Sequence, residues 1–141
     1  MNLSRQLALF GGVILIFSLF MPWVAHTDPT LGLDNTINGY STDGAFGGLF
    51  GLFIILTAMV VKGAPEKRYS YLIVFFAVVA FYLTFRTITS AGQVLRQTGD
   101  TINSLKIGPF LSMLGALLAF VGGIMKVPPL NYDRKTTPPR A

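Results

Sequence analysis

The chain has no cysteine, which excludes disulfides, thiolate metal sites and a thiol nucleophile, and leaves the redox compartment unreadable. Charge is also scarce: 12% of residues are Asp, Glu, Lys or Arg, about half the share in a soluble domain. The single histidine, His26, has only Asp28, Asp34 and Asp43 near it in sequence, and their spacing matches no metal-ligand motif. No serine, threonine or lysine stands beside a base at catalytic spacing, and no phosphate-binding glycine loop occurs. The expectation is a protein that is not an enzyme and that needs neither cofactor nor metal.

Apolar runs fill the chain instead. Leu7 to Val24, Ala45 to Val61, Tyr69 to Phe85 and Ile107 to Met125 are each 17 to 19 residues long, make up half of the sequence and contain no Asp, Glu, Lys, Arg or His. A helix rises about 1.5 Å per residue and the hydrocarbon core of a bilayer is about 30 Å thick, so each run with its flanks is long enough to cross. The expected fold is an all-α membrane protein: an antiparallel four-helix transmembrane bundle over residues 1–126, with helices at about 5–24, 44–62, 68–90 and 107–126. A Pro-rich basic tail, 127–141, follows. The first run is read as a span and not a cleaved signal peptide, because it exceeds the usual apolar length and no A-x-A site follows.

Net charge is +5, and its distribution gives orientation. Arg5, Lys62, Lys67, Arg68, Lys126, Arg134, Lys135 and Arg140 share one side, against Arg86, Arg96 and Lys106 on the other. The positive-inside rule then puts both termini in the cytoplasm. Asp28, Asp34, Asp43 and Asp100 fall outside. No basic cluster is interleaved with aromatics, so the expected partners are membrane lipids and other membrane subunits or a second copy, not nucleic acid.

Local signals refine this outline. Pro22 marks the exit of helix one, and Trp23 beside it is expected at headgroup depth as an interface anchor. Turn formers in 25–44 allow a small hairpin, Val24–Thr27 against Thr36–Ser41, that would form part of an extracytoplasmic cap. Asp43 is a candidate N-cap for helix two, whose Gly44, Gly47, Gly48 and Gly51 offer a face for close helix approach. Helix three is aromatic, with Arg86 expected at its outer end, snorkelling to phosphates or pairing with a loop aspartate. Residues 91–105 suit a helical extension or a short interfacial helix interrupted near Gly99.

Helix four has the clearest pattern. Gly108, Ser112, Gly115, Ala119 and Gly122 recur at intervals of four, three, four and three, a small-residue seam that predicts left-handed close packing. Its partner is helix one through Gly11 and Gly12, the glycine face of helix two, or another subunit.

The Phe20-x-Pro22-Trp23 end of helix one, the G-Y-S-T-D-G entry to helix two (39–44) and the run 108–123 resemble the small four-helix membrane proteins found widely in bacteria without assigned activity. That resemblance implies a bacterial inner-membrane location and no defined reaction. The layout of the outer loops is also distantly similar to claudin-like tetraspan proteins, although the paired cysteines and G-L-W of the claudin first loop have no counterpart here.

The functional expectation is a non-catalytic accessory, assembly or stabilising subunit of a larger membrane complex, or a self-assembling tetraspan. The alternative is a small oligomeric transporter, channel or lipid-handling protein with a path lined by Ser112, Thr57 and Tyr82. An enzyme would need a cofactor among the aromatics of 75–85.

Overall fold

The computed structural model describes residues 3–27, 34–42, 44–60, 67–98 and 105–125. They form four helices, α1 (Leu3–Phe20), α2 (Gly44–Val60), α3 (Lys67–Thr98) and α4 (Ile107–Ile124), and a two-stranded antiparallel sheet of β1 (Pro22–Thr27) and β2 (Asp34–Asn38). Three segments, Leu3–Phe20, Arg68–Ser90 and Ile107–Ile124, are long and apolar enough to cross a membrane, and α2 is a shorter apolar helix. The 127–141 tail, Asp43 and the inner connection lie outside the described residues.

Each boundary has a local cause. α1 ends at Phe20, four residues before the expected Val24, because Pro22 has no backbone donor and restricts the residue before it. The chain enters β1 instead, with Pro22 paired to Asn38 and Thr27 to Asp34. The hairpin is therefore longer on its first strand than expected, and Gly39–Ser41 form a 3-10 turn in place of a strand end. Thr42 closes that turn: its Oγ1 donates to the Gly39 carbonyl at 2.9 Å and accepts from the Gly44 N–H at 3.2 Å, at the entry to α2. At the start of α4, Pro109 occupies the first turn, where its missing donor costs little. α3 does not stop near Ser90 but continues to Thr98, so Arg86 lies within the helix and not at its end.

The helices form a ring in which α1 and α3 each pack on both α2 and α4. Close contacts fix the directions. Gly122 lies against Ser4 and Ala8, Gly115 against Gly11 and Leu15, and Gly108 against Trp23, so α4 runs antiparallel to α1. Gly48 meets Leu19 while Gly51 meets Gly12, which makes α2 antiparallel to α1 as well. α3 and α4 join at Thr84 and Ser112, and again where Gly123 meets Ile73 and Val74. The buried apolar core is small-residue rich: Ala8, Ala58, Ala77, Ala80, Ala116 and Ala119, with Leu15, Ile54 and Ile73.

Gly11 and Gly115 permit this approach. A Cβ on Gly115 would lie 2.8 Å from the Gly11 carbonyl oxygen and 3.0 Å from the Leu15 nitrogen, and backbone atoms cannot rotate away. A Cβ on Gly47 would meet only the Ser112 hydroxyl, at 3.6 Å. Gly115→Leu is therefore expected to cost at least about 2–3 kcal/mol through overpacking, whereas Gly47→Ala is neutral or stabilising by up to about 1 kcal/mol. Reversible unfolding in mixed detergent micelles checks the pair, and similar stabilities for both variants would contradict this packing.

Candidate functional site

The features that converge in three dimensions lie at the hairpin end of the bundle, around Trp23. The sheet register shifts between the Pro22–Asn38 and Val24–Ile37 pairs, leaving Trp23 as the extra residue on β1. A bulge of this kind re-aims a side chain, and here the indole turns down into the bundle. Trp23 is 0% exposed. Its Nε1–H donates to the Ser18 carbonyl at 2.7 Å, satisfying an acceptor that the end of α1 leaves open. Ser18 also accepts from the Met21 N–H at 3.3 Å.

Three glycines make room for the ring. A Cβ on Gly39 or Gly108 would overlap the indole, and one on Gly44 would stand 2.7 Å from Trp23 Cζ2. The backbone of Trp23 completes the connection, because its carbonyl accepts from the Lys106 N–H at 3.0 Å beside a bridge between Val24 and Leu105. One residue thus holds together the end of α1, the hairpin, the entry to α2 and the entry to α4. The expected role of Trp23 as a lipid-facing interface anchor is corrected: the bulge and the glycine cradle take the indole out of contact with any surrounding solvent or lipid.

The other residues singled out from the sequence divide into groups. Gly108, Ser112, Gly115, Ala119 and Gly122 of α4 are all buried, as are Gly44, Gly47, Gly48 and Gly51 of α2. The α4 seam faces α1 at Gly115, Ala119 and Gly122, Gly108 meets Trp23 and Pro22 of β1, and Ser112 reaches α3. The α2 glycines face α1 and Trp23, except Gly47, which faces Ser112. Pro22 is half-buried at the start of β1, and Arg86 is exposed on α3.

Sequence reasoning missed several participants. Thr84 donates to the Ala80 carbonyl at 2.9 Å, which uses its only proton, so Ser112 must donate across the 2.8 Å contact between the two hydroxyls. Arg5, read only as an orientation charge, places Nε 2.7 Å from the Ala58 carbonyl and Nη2 3.2 Å from that of Met59, capping the last turn of α2. The α1 residues that receive the seam, Ser4, Ala8, Gly11, Leu15 and Ser18, follow the same four-three spacing as the seam itself. That matching period was the available signal.

Comparison with protein families, curated proteins and solved structures gives no match.

The residues expected to line a transport path do not come together. Ser112 is fully buried in its bond to Thr84, Thr57 returns its hydroxyl to the Phe53 carbonyl at 2.7 Å, and Tyr82 is exposed on α3. Buried hydroxyls sit at the two ends of the interior, Ser4 and Ser70 at one and Ser18, Thr84 and Ser112 at the other, with Leu15, Ile54 and Ala77 between them. The aromatics of α3 likewise face outward in part: Phe76 stacks on Phe50 and Phe53 of α2 at 5.7 and 5.4 Å, with Phe75 beside it. Among the described residues, no group of three or more His, Cys, Asp or Glu lies together.

The cradle predicts a graded response. Trp23→Phe keeps an aromatic ring in the cradle but removes the donor to Ser18 and part of the buried ring volume, and is expected to cost about 1–3 kcal/mol. Trp23→Ala also empties the cradle and is expected to cost about 3–5 kcal/mol. Chemical unfolding of the two variants measures both, and a Trp23→Ala loss no greater than that of Trp23→Phe would contradict a packed indole.

Proposed function

We propose that the protein is an antiparallel four-helix transmembrane bundle that works by contact with other membrane proteins, as an accessory, assembly or stabilising subunit of a larger complex or as a self-assembling tetraspan. The observation that carries this reading is an inverted size distribution. Glycine, alanine and serine fill the interior, while Phe10, Phe17, Phe20, Phe75, Tyr82 and Phe110 are each more than half exposed. In water such a surface far exceeds the apolar patch a monomer tolerates. In lipid it carries no such penalty, and small residues at helix contacts are the packing that a bilayer favours.

The charges support the same placement. Arg68 and Arg86 are exposed on α3 and lie eighteen residues apart, about 27 Å at the helical rise, close to the thickness of a hydrocarbon core. Tyr71 and Tyr82, 70% and 61% exposed, fall just inside those two arginines, where interfacial tyrosines concentrate. The basic side of the chain is then cytoplasmic, and the hairpin and the end of α3 lie opposite. A bacterial inner membrane follows only from the tetraspan resemblance of Phe20, Pro22 and Trp23 and of the 108–123 run.

A non-transporting role is supported by the closed interior, whose polar groups are separated by apolar side chains. Because the glycine faces of α2 and α4 are occupied within one chain, a partner would meet bulky outward surfaces such as the Phe53, Phe75 and Phe76 patch, or the hairpin cap.

Gentle detergent extraction from the native membrane, with native mass and composition of what co-purifies, tests the proposal. The expected result is a membrane-bound chain that resists high salt and alkaline carbonate and elutes with a larger subunit, or with further copies of itself, at fixed stoichiometry. A monomer that sustains solute flux in vesicles would overturn the interaction role, and recovery in the soluble fraction would overturn the bundle's placement in lipid.

A further inference from the structure

The helices of this bundle are short for the barrier they would cross. α1, α2 and α4 have 18, 17 and 18 residues, about 24–27 Å at the helical rise, whereas about 20 residues are needed to cover a hydrocarbon core of about 30 Å. α3 is longer, but the part of it that can face lipid is not. The exposed Arg68 and Arg86 bound that part, and they too are about 27 Å apart.

The ends are fixed by hydrogen bonds, so the short spans cannot be drawn out. On the hairpin side the Thr42 hydroxyl donates to the Gly39 carbonyl and accepts from the Gly44 N–H, which sets where α2 starts. On the other side the Arg5 guanidinium donates to the Ala58 and Met59 carbonyls and holds a cation beside the last turn of α2. α1 carries that same Arg5 near its start, and Pro22 lies just past its end.

Contacts between neighbouring helices bring these limits to common heights. Gly115 stands against Gly11 and Leu15, Gly51 against Gly12 and Leu15, and Ser112 against Thr84. In that register the exposed Phe20, Phe46, Phe85 and Phe110, one from each helix, fall within about one turn of each other at the hairpin end. Leu3, Val60, Tyr71 and Ile124, also exposed and one from each helix, do the same at the other end. The two rings are fourteen residues apart on α2, α3 and α4 and seventeen on α1, an apolar band of about 21–26 Å.

We propose that this band selects phospholipids with short acyl chains, so that the protein sits in, or gathers around itself, a bilayer several ångströms thinner than the average. A helix too long for its bilayer can tilt, but tilting one that is too short reduces its reach further. The accommodation then falls to the lipid, through thinning and chain selection. The inference rests on the transmembrane reading and adds to it the acyl class of the lipid partner.

The test uses the full-length protein with Phe10→Trp, a 64% exposed position near the middle of the band, reconstituted in phosphatidylcholine vesicles. Wild-type protein measured in parallel gives the contribution of Trp23, and Leu114→Trp repeats the measurement on α4. Phosphatidylcholine brominated in chains of about 18 carbons quenches the added indole, and competition with unbrominated lipids of other lengths gives their relative association constants. Chains of about 14 carbons are expected to associate about threefold more strongly than chains of about 22 carbons. Arg86→Leu/Ser90→Arg, added to the reporter, moves the outer cation of α3 outward by one turn, about 6 Å, and is expected to bring that ratio closer to one.

Equal association across chain lengths, or stronger association of the longest chains, would overturn the inference while leaving the transmembrane reading intact. A ratio unchanged when the cation is moved would trace the preference to the lipids themselves and overturn it equally. Absence of bromine quenching at both reporters, or recovery of the protein in the soluble fraction, would defeat the placement in lipid itself.

Discussion

Trp23 in its glycine cradle is the contact on which the hairpin end of this molecule depends. Its indole N–H closes an open carbonyl of α1, its ring fills space left by glycines of three separate segments, and its own carbonyl holds the start of α4. A short two-stranded hairpin is marginal alone. Here the bulge that disturbs its ladder is also what fastens it to the helices, because the displaced residue is the one that reaches the core.

Below the cap, stability comes from close backbone approach and not from large buried side chains. The four-three spacing of small residues on α4 meets the same spacing on α1, and the second glycine face, on α2, meets α1 from its other side. α1 is therefore the helix to which both glycine-rich neighbours are fitted. α3 is held differently, by alanines, by the Ser112 to Thr84 hydrogen bond and by stacked phenylalanines. An outward groove opens on the α4 side of α3, away from the stacked phenylalanines. It follows that glycine faces, which in a sequence read equally well as surfaces for another subunit, are here internal, and that any assembly must use other surfaces.

Much of the architecture was legible from the residues. Uncharged runs marked the four helices, and the period of small residues on α4 gave the face that is buried. The partner of that face was not legible, because α1, α2 and a second subunit all present small residues at compatible spacing. Pro22 revealed that α1 ends, but a strand carrying a bulge depends on pairing between residues distant in sequence, so the surroundings of Trp23 were not readable. The extent of α3 to Thr98 was left open between extension and separate helix, since polar residues without a breaker before Gly99 are compatible with both. The capping of α2 by Arg5 joins residues more than fifty positions apart, and no local pattern announces it.

The most direct test of this account uses the single tryptophan as its own reporter. Fluorescence is recorded for the full-length protein in vesicles containing phospholipids brominated at successive acyl positions, with acrylamide added separately from the aqueous side. An indole closed in by Gly39, Gly44 and Gly108 predicts blue-shifted emission, weak quenching by acrylamide and weak quenching by bromine at every depth. Strong quenching by bromine near the headgroups would place Trp23 against lipid, as an ordinary interface anchor, and would contradict the cradle.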